Sequence, residues 1–198
     1  LITGIGQGYI QSTPLQLCMM TAQISNGGYA IKPKIIVDSN PISYEDAKQS
    51  MESGLLFDSS SDHLLDKKLF KNKKNIKIVQ EAMFSSTNER FGTSYKSRID
   101  DPKYQFAGKT GTAQVKRISK RERELDLELE QIPYKDRDHA LYVAYGPYIN
   151  PRYALSIIVE HGGSGSKTAA PIAKKLFKLI IDRHELRNKQ SNFERITI

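Results

Sequence analysis

Residues 139–161 read HALYVAYGPYINPRYALSIIVEH, two β-prone runs, 139–148 and 152–161, with only Ile149-Asn150-Pro151 between them. Asn and Pro are turn formers, and a connection this short joins two strands only as an antiparallel hairpin, since a parallel crossover takes about a dozen residues or more. A third run, FAGKTGTAQV at 106–115, has β-tolerant flanks but carries Gly108, Lys109, Thr110, Gly111 and Thr112 at its centre. Glycine weakens a strand interior, and a lysine there points at solvent. Such a strand makes sense as an edge against which something extended lies.

Helical signals surround these strands. In STPLQLCMMTAQISNGG, Thr13 is an N-cap, Pro14 suits the first helical position and Gly27-Gly28 follow Asn26 as a stop, which predicts a helix over 14–26. KIVQEAMFSSTNERFG sets Ile78, Val79, Ala82 and Met83 at helical spacing and ends within 88–92. After the glycine loop at 162–166, a last helix starts with Ser166 or Thr168 as its cap. Ala169, Ala173, Leu176 and Ile180 line one face of it, with Ile172 and Phe177 beside them. A short extended segment is expected at 34–37, and the glycines at 4, 6 and 8 read as a loop.

Two polar stretches interrupt this pattern. Residues 39–75, with three consecutive serines and the lysines at 67, 68, 71, 73 and 74, read as a surface insertion of limited order. Residues 116–138 hold seven basic and seven acidic residues, basic first. There Leu125, Leu127 and Leu129 alternate with acids as in a strand, while the composition favours a helix. A solvated loop or hairpin is expected, with a lid or a docking surface as the alternatives. The predicted fold class is α/β, an antiparallel sheet flanked by helices, and 198 residues fit one domain.

Composition narrows the function classes. A formal charge of +8 raises the question of a nucleic-acid partner. The basic residues are spread along the chain, and none of their three runs combines with an aromatic platform or a glycine-rich reading loop, so no nucleic acid is expected. The chain opens Leu-Ile-Thr without an initiator methionine or a signal-like apolar core and reads as a fragment. No apolar run approaches the roughly 20 residues a bilayer crossing takes. The single cysteine, Cys18, sits among Leu17, Met19 and Met20 and is expected to act as a buried small hydrophobe. His139 and His161 flank strands without metal-ligand spacing, so no metal or other cofactor is expected.

Two chemistries compete for Gly108-Lys109-Thr110. A phosphate loop needs a glycine where Lys103 stands and a helix to follow, whereas TAQV continues a strand, so that reading fails. The alternative is a Lys-Thr-Gly-Thr edge beside a serine-acylation site. Gly111 lets an extended peptide approach the backbone. Lys109 places positive charge beside a carboxylate and an acylating serine. Thr110 and Thr112 carry hydroxyls that can donate to a terminal carboxylate, and the Thr112 N–H can help hold an oxyanion.

These stretches together resemble a known family. GQGYIQSTPLQL, FAGKTGTAQV, RDHALYVAYGPYINPRYALSIIVEHGGSG and PIAKKLF are similar, in that order, to the C-terminal part of the transpeptidase domain of the elongation-type class B penicillin-binding proteins, penicillin-binding protein 2. The resemblance implies the last three strands and the C-terminal helix of a five-stranded domain. It implies a peptidoglycan D,D-transpeptidase acting through a serine acyl-enzyme, with stem peptides as substrate and β-lactams as inhibitors. It further implies a periplasmic enzyme anchored in the inner membrane by an N-terminal segment, working with membrane-bound elongation machinery that includes a glycosyltransferase partner. The family's nucleophile motif, Ser-x-x-Lys, and its Ser-x-Asn precede the Lys-Thr-Gly. Here Ser164-Gly165-Ser166-Lys167 comes after it, and Ser86-Thr87-Asn88 lies on the helix just before it, so both read as imitations and the nucleophile as lying outside this chain. Lys109 and Thr112 are then the catalytic candidates, with Thr110, Gly111 and Thr112 binding substrate. A β-lactamase or D,D-carboxypeptidase and a non-catalytic penicillin-sensing or scaffold module remain open.

Overall fold

The computed structural model describes residues 11–33, 64–116 and 127–196. Helix α1 (Pro14–Ser25) leads into strand β1 (Tyr29–Ile31), which pairs antiparallel with β2 (Leu64–Lys68). Helix α2 (Lys73–Asn88) and a short 3₁₀ turn (Tyr95–Ser97) follow. Strands β3 (Ala107–Ala113), β4 (His139–Gly146) and β5 (Tyr153–Val159) form one antiparallel sheet in that order. A wide π-type turn (Gly165–Ala169) opens helix α3 (Ala170–Ile196).

The expected hairpin is present, with Ala140 opposite Val159 and Gly146 opposite Tyr153. Strand β4 is apolar at almost every position because both faces of the sheet are covered. Ala140, Tyr142 and Ala144 point to one side and pack with Phe106 against Ala169, Ala170, Ala173, Phe177 and Ile181 at the start of α3. Alanines on both surfaces let helix and sheet approach closely, and Phe106 stacks on Phe177 with centroids 4.9 Å apart. Each of these fully buried phenylalanines contributes about 1.5–3 kcal/mol by leaving water. On the other side, Tyr145 and Ala107 meet Met83 of α2, with Ile24 of α1, Phe84 and Tyr148 around them.

Helix α1 ends and begins where local chemistry places it. The Thr13 hydroxyl accepts from the Gln16 N–H at 3.2 Å while the Gln16 side chain accepts from the Thr13 N–H at 2.8 Å, a capping box ahead of Pro14. Cys18 is half-buried, its thiol donating to the Ala154 carbonyl at 3.4 Å, and burial pushes its pKa up. It is less deeply buried than expected.

Three expectations are corrected. The polar stretch 39–75 is not an insertion of limited order throughout. Its C-terminal part forms β2, and α2 begins at Lys73 with the Asn72 side chain accepting from the Lys74 N–H at 2.9 Å. The helix expected from the spacing of Ile78, Val79, Ala82 and Met83 is present as α2, whose buried positions are Ile76, Met83 and Thr87, with Ile78 and Val79 exposed. In α3 the inward stripe is Ala170, Ala173, Phe177 and Ile181, so Leu176 and Ile180 lie at its margin and Ile172 is exposed. Neither Ser166 nor Thr168 caps α3, because Thr168 donates to the Gly162 carbonyl at 2.8 Å and Ser166 pairs with Ser164 at 3.0 Å.

The described end of the charged stretch, 127–138, is neither strand nor long helix but two 3₁₀ turns, Leu129–Gln131 and Tyr134–Asp136. Several contacts fasten it. Leu129 packs on Gly163, the Asp138 carboxylate accepts from the Val115 N–H at 3.2 Å, and the Asp138 carbonyl accepts from the Gly163 N–H at 2.8 Å. The expected loop over 4–8, the extended segment at 34–37 and residues 117–126 lie outside the described residues.

Candidate active site

Strand β3 is an edge strand, and its outward side can be read from two side-chain contacts. The Asn88 amide donates to the Phe106 carbonyl at 2.9 Å, and the Lys109 ammonium donates to the Thr110 carbonyl at 2.8 Å. Both donors lie off the sheet, so even-numbered residues of β3 turn their main-chain groups away from β4. A residue's N–H and C=O leave an antiparallel strand on the same side, alternating along the chain. The Thr112 N–H and C=O therefore face outward as well, while Lys109 and Gly111 spend theirs on β4. This edge offers main-chain pairing to an extended peptide at Thr110 and Thr112.

Side chains complete the edge. Lys109 is exposed, and its ammonium folds over the strand to lie 3.5 Å from the Thr110 hydroxyl. The cation and a hydroxyl donor are thus adjacent at the point where the edge opens. Thr112 is exposed one step further on. From behind, Gly165 presses on the sheet, where a Cβ would sit 2.4 Å from the Leu141 carbonyl and 2.6 Å from that of Gly111. The loop after β5 thereby braces the strand at the motif's second glycine.

The motif's first glycine serves the core. A Cβ on Gly108 would lie 2.4 Å from the Tyr142 hydroxyl. That hydroxyl is buried and meets Thr87 Oγ1 at 3.0 Å and Ser94 Oγ at 3.1 Å. Burial raises the Tyr142 pKa, and its hydrogen-bonded contacts with Ser94 and Thr87 partly offset this, so the phenol stays neutral. Ser94 in turn donates to the Ser86 carbonyl at 2.9 Å through its hydroxyl and at 3.0 Å through its N–H. The end of α2 is fixed to the sheet beside β3 by this cluster.

The two serine motifs have other occupations. Thr87 is in the buried cluster, and Asn88 divides its amide between the Phe84 and Phe106 carbonyls. The Ser164 hydroxyl pairs with that of Ser166 on the glycine loop. His139 Nδ1 accepts from the His161 N–H at 2.9 Å, and the His161 ring contacts the Arg137 carbonyl at 3.0 Å. Among the described residues, no group of His, Cys, Asp or Glu side chains is arranged to hold a metal ion.

Residues 1–178 match the family described as the penicillin binding protein transpeptidase domain. The chain belongs to this family. Peptidoglycan D,D-transpeptidase MrdA of Salmonella typhimurium is 31% identical over 183 residues, covering 90% of this chain and 26% of that protein. The Haemophilus influenzae MrdA is 31% identical over 181 residues, 91% of this chain and 25% of that one. Among solved structures, Pseudomonas aeruginosa PBP2 in complex with WCK 5153 superposes with a TM-score of 0.62 at 31% identity, over 90% of this chain and 32% of that one. PBP2 of Helicobacter pylori in its complex with MreC gives 0.60 at 29% identity, over 90% and 27%. The resemblance to penicillin-binding protein 2 is borne out, as is the fold class. The chain spans about a quarter of the length of the curated relatives it matches.

Within this transpeptidase-family chain, the structure brings Lys109, Thr110, Gly111 and Thr112 to one open edge and adds residues that sequence reading missed. Asn88 anchors the start of β3, Tyr142 ties the motif's first glycine to the core, and Thr93 places its hydroxyl 3.3 Å from that of Thr110. A polar side chain at the end of a helix, or a tyrosine in an apolar strand, carries no such meaning until the partners are in place.

Proposed function

We propose that this chain is the Lys-Thr-Gly-Thr wall of a peptidoglycan D,D-transpeptidase whose nucleophilic serine comes from residues outside it. The observation that carries the reading is the outward edge at Thr110 and Thr112 with the Lys109 ammonium folded onto it. A stem peptide pairs along this edge, its terminal carboxylate taking the hydroxyls of Thr110 and Thr112 beside the Lys109 charge. The serine oxygen adds to the penultimate carbonyl, and the Thr112 N–H donates to the oxyanion that forms. Collapse expels D-alanine, whose nitrogen takes the proton, and leaves an ester on serine. The amine of a second stem peptide then attacks that ester, forming the cross-link and freeing the serine. A β-lactam carboxylate and carbonyl occupy the same positions.

The family membership and the MrdA relatives support the reaction class. Elongation of the cell wall as the setting is supported by the PBP2–MreC complex among the structural neighbours. A membrane-bound glycosyltransferase partner and a periplasmic site, with anchoring by a segment outside this chain, complete the proposal. No described helix is long and apolar enough to cross a membrane.

The test is acylation of the complete protein by a fluorescent penicillin. Lys109→Ala should slow it by about 10²–10³-fold, the size of losing one oriented donor at the reacting centre. The fold should survive, since Lys109 is exposed. Acylation at the wild-type rate in that variant would remove the assignment.

A further inference from the structure

We infer that Thr93, on the loop between α2 and β3, is a positioning residue that aims the Thr110 hydroxyl at the substrate carboxylate. The inference rests on the reading of β3 given above. Three hydroxyls form a line: Ser86 Oγ lies 3.4 Å from Thr93 Oγ1, which lies 3.3 Å from Thr110 Oγ1. The line runs from the last turn of α2 to the open edge of the strand.

A hydroxyl has one hydrogen to donate and two lone pairs to accept with. When Thr110 turns its hydrogen toward an anion, its oxygen is left to accept from Thr93 and from the Lys109 ammonium 3.5 Å away. Thr93 must then donate to Thr110, and Ser86 to Thr93. Each donation polarises the next O–H, which makes Thr110 a stronger donor than an isolated threonine. The anion sets the direction of the whole line.

The loop is built to hold Thr93 in place. On one side of it, a Cβ on Gly92 would sit 2.3 Å from the Ser86 carbonyl, and the Gly92 N–H donates to the Glu89 carbonyl at 2.8 Å. On the other, Ser94 is bound twice to the Ser86 carbonyl and once to the buried Tyr142 hydroxyl. Thr93 itself is exposed, so its side chain does not serve the core. Its β-branched side chain has few χ1 choices, which keeps the hydroxyl where the backbone points it.

The experiment measures second-order acylation rates of the complete protein with a penicillin bearing its free carboxylate and with the neutral methyl ester. Thr93→Val, close in shape, should slow reaction with the free acid by about 3–10-fold, the scale of one hydrogen bond, and leave the ester rate unchanged. Thr93→Ser keeps the hydroxyl and should retain the acid rate within about twofold of wild type. A Thr93→Val enzyme that reacts with the acid at the wild-type rate overturns the inference. So does one that loses acid and ester reactivity alike, because that marks a merely structural role. Thr110→Val separates the two levels of the argument. If it reduces the preference for the acid while Thr93→Val does not, only the inference fails. If it leaves that preference intact, the carboxylate reading of β3 fails and takes the inference with it.

Discussion

Tyr142→Phe removes one oxygen from the cluster that fixes α2 beside the motif strand, and its cost can be worked from the contacts. The hydroxyl makes two buried hydrogen bonds, at 3.0 Å to Thr87 and 3.1 Å to Ser94. Two neutral bonds at about 0.5–1.5 kcal/mol each give about 1–3 kcal/mol. The full penalty of an orphaned group is avoided, since Ser94 still donates to the Ser86 carbonyl at 2.9 Å and Thr87 retains the Met83 carbonyl at 3.4 Å. The lower part of the range, about 1–2 kcal/mol, is therefore expected, or roughly 2–8 °C in melting temperature. The pH dependence supplies an independent check. Burial raises the folded-state pKa of Tyr142, so its contribution is fully present below the ordinary tyrosine value of about 10 and is lost as pH rises through the folded value. Phenylalanine has nothing to lose there, so the gap between wild type and variant should narrow above about pH 10. Tyr145, Tyr148 and Tyr153, whose pKa values burial also raises, are common to both proteins and cancel in the difference. Thermal melts of the complete protein from neutral to alkaline pH measure both effects. An unchanged melting temperature at pH 7, or a gap that widens in alkali, would refute the reasoning.

Two further outcomes follow from the same geometry. Gly165→Ala puts a methyl 2.4 Å from the Leu141 carbonyl and 2.6 Å from that of Gly111, so the start of α3 must lift from the sheet; the expected cost is about 1–3 kcal/mol with slower penicillin acylation, checked by melting and labelling together. The 198-residue chain alone should take no covalent label from a fluorescent penicillin, and a stable adduct mapped to Ser164 by peptide mass analysis would contradict the placement of the nucleophile elsewhere.

What could be read in advance follows the range of the interactions involved. The α1 boundary was legible because Thr13, Pro14 and Gln16 decide it among themselves. The β4–β5 hairpin was legible because its turn leaves no other topology. Strand β2 was not: LLDKK has no β pattern, and it exists through pairing with β1, distant in sequence. The face of α3 was misjudged by about one residue because Leu176 and Phe177 are equally apolar, and only the stack on Phe106 selects between them. Thr87 and Ser94 escaped notice for the opposite reason. Hydrophobic periodicity assigns polar residues to solvent, whereas both are buried here to satisfy a tyrosine hydroxyl that the sheet carries inward.

The site divides in the same way. Lys109 through Thr112 are contiguous, so the motif was visible as a string, but which main-chain groups it presents depends on parity along β3, set by its register on β4 and revealed by the contacts to Phe106 and Thr110 from outside the sheet. An open strand edge is a liability that proteins blunt with lysines or covering elements. Here Asn88 closes the edge at its start and the Lys109 ammonium caps the Thr110 carbonyl, while Thr112 is left exposed. An incoming peptide that pairs at Thr110 must displace that ammonium from the carbonyl it occupies. The charge is then released next to the threonine hydroxyl where the proposed mechanism places a carboxylate. On the proposed mechanism, protection of the open edge and recognition of an anionic ligand fall to one side chain, a reason for a lysine to stand on a strand that it would otherwise weaken.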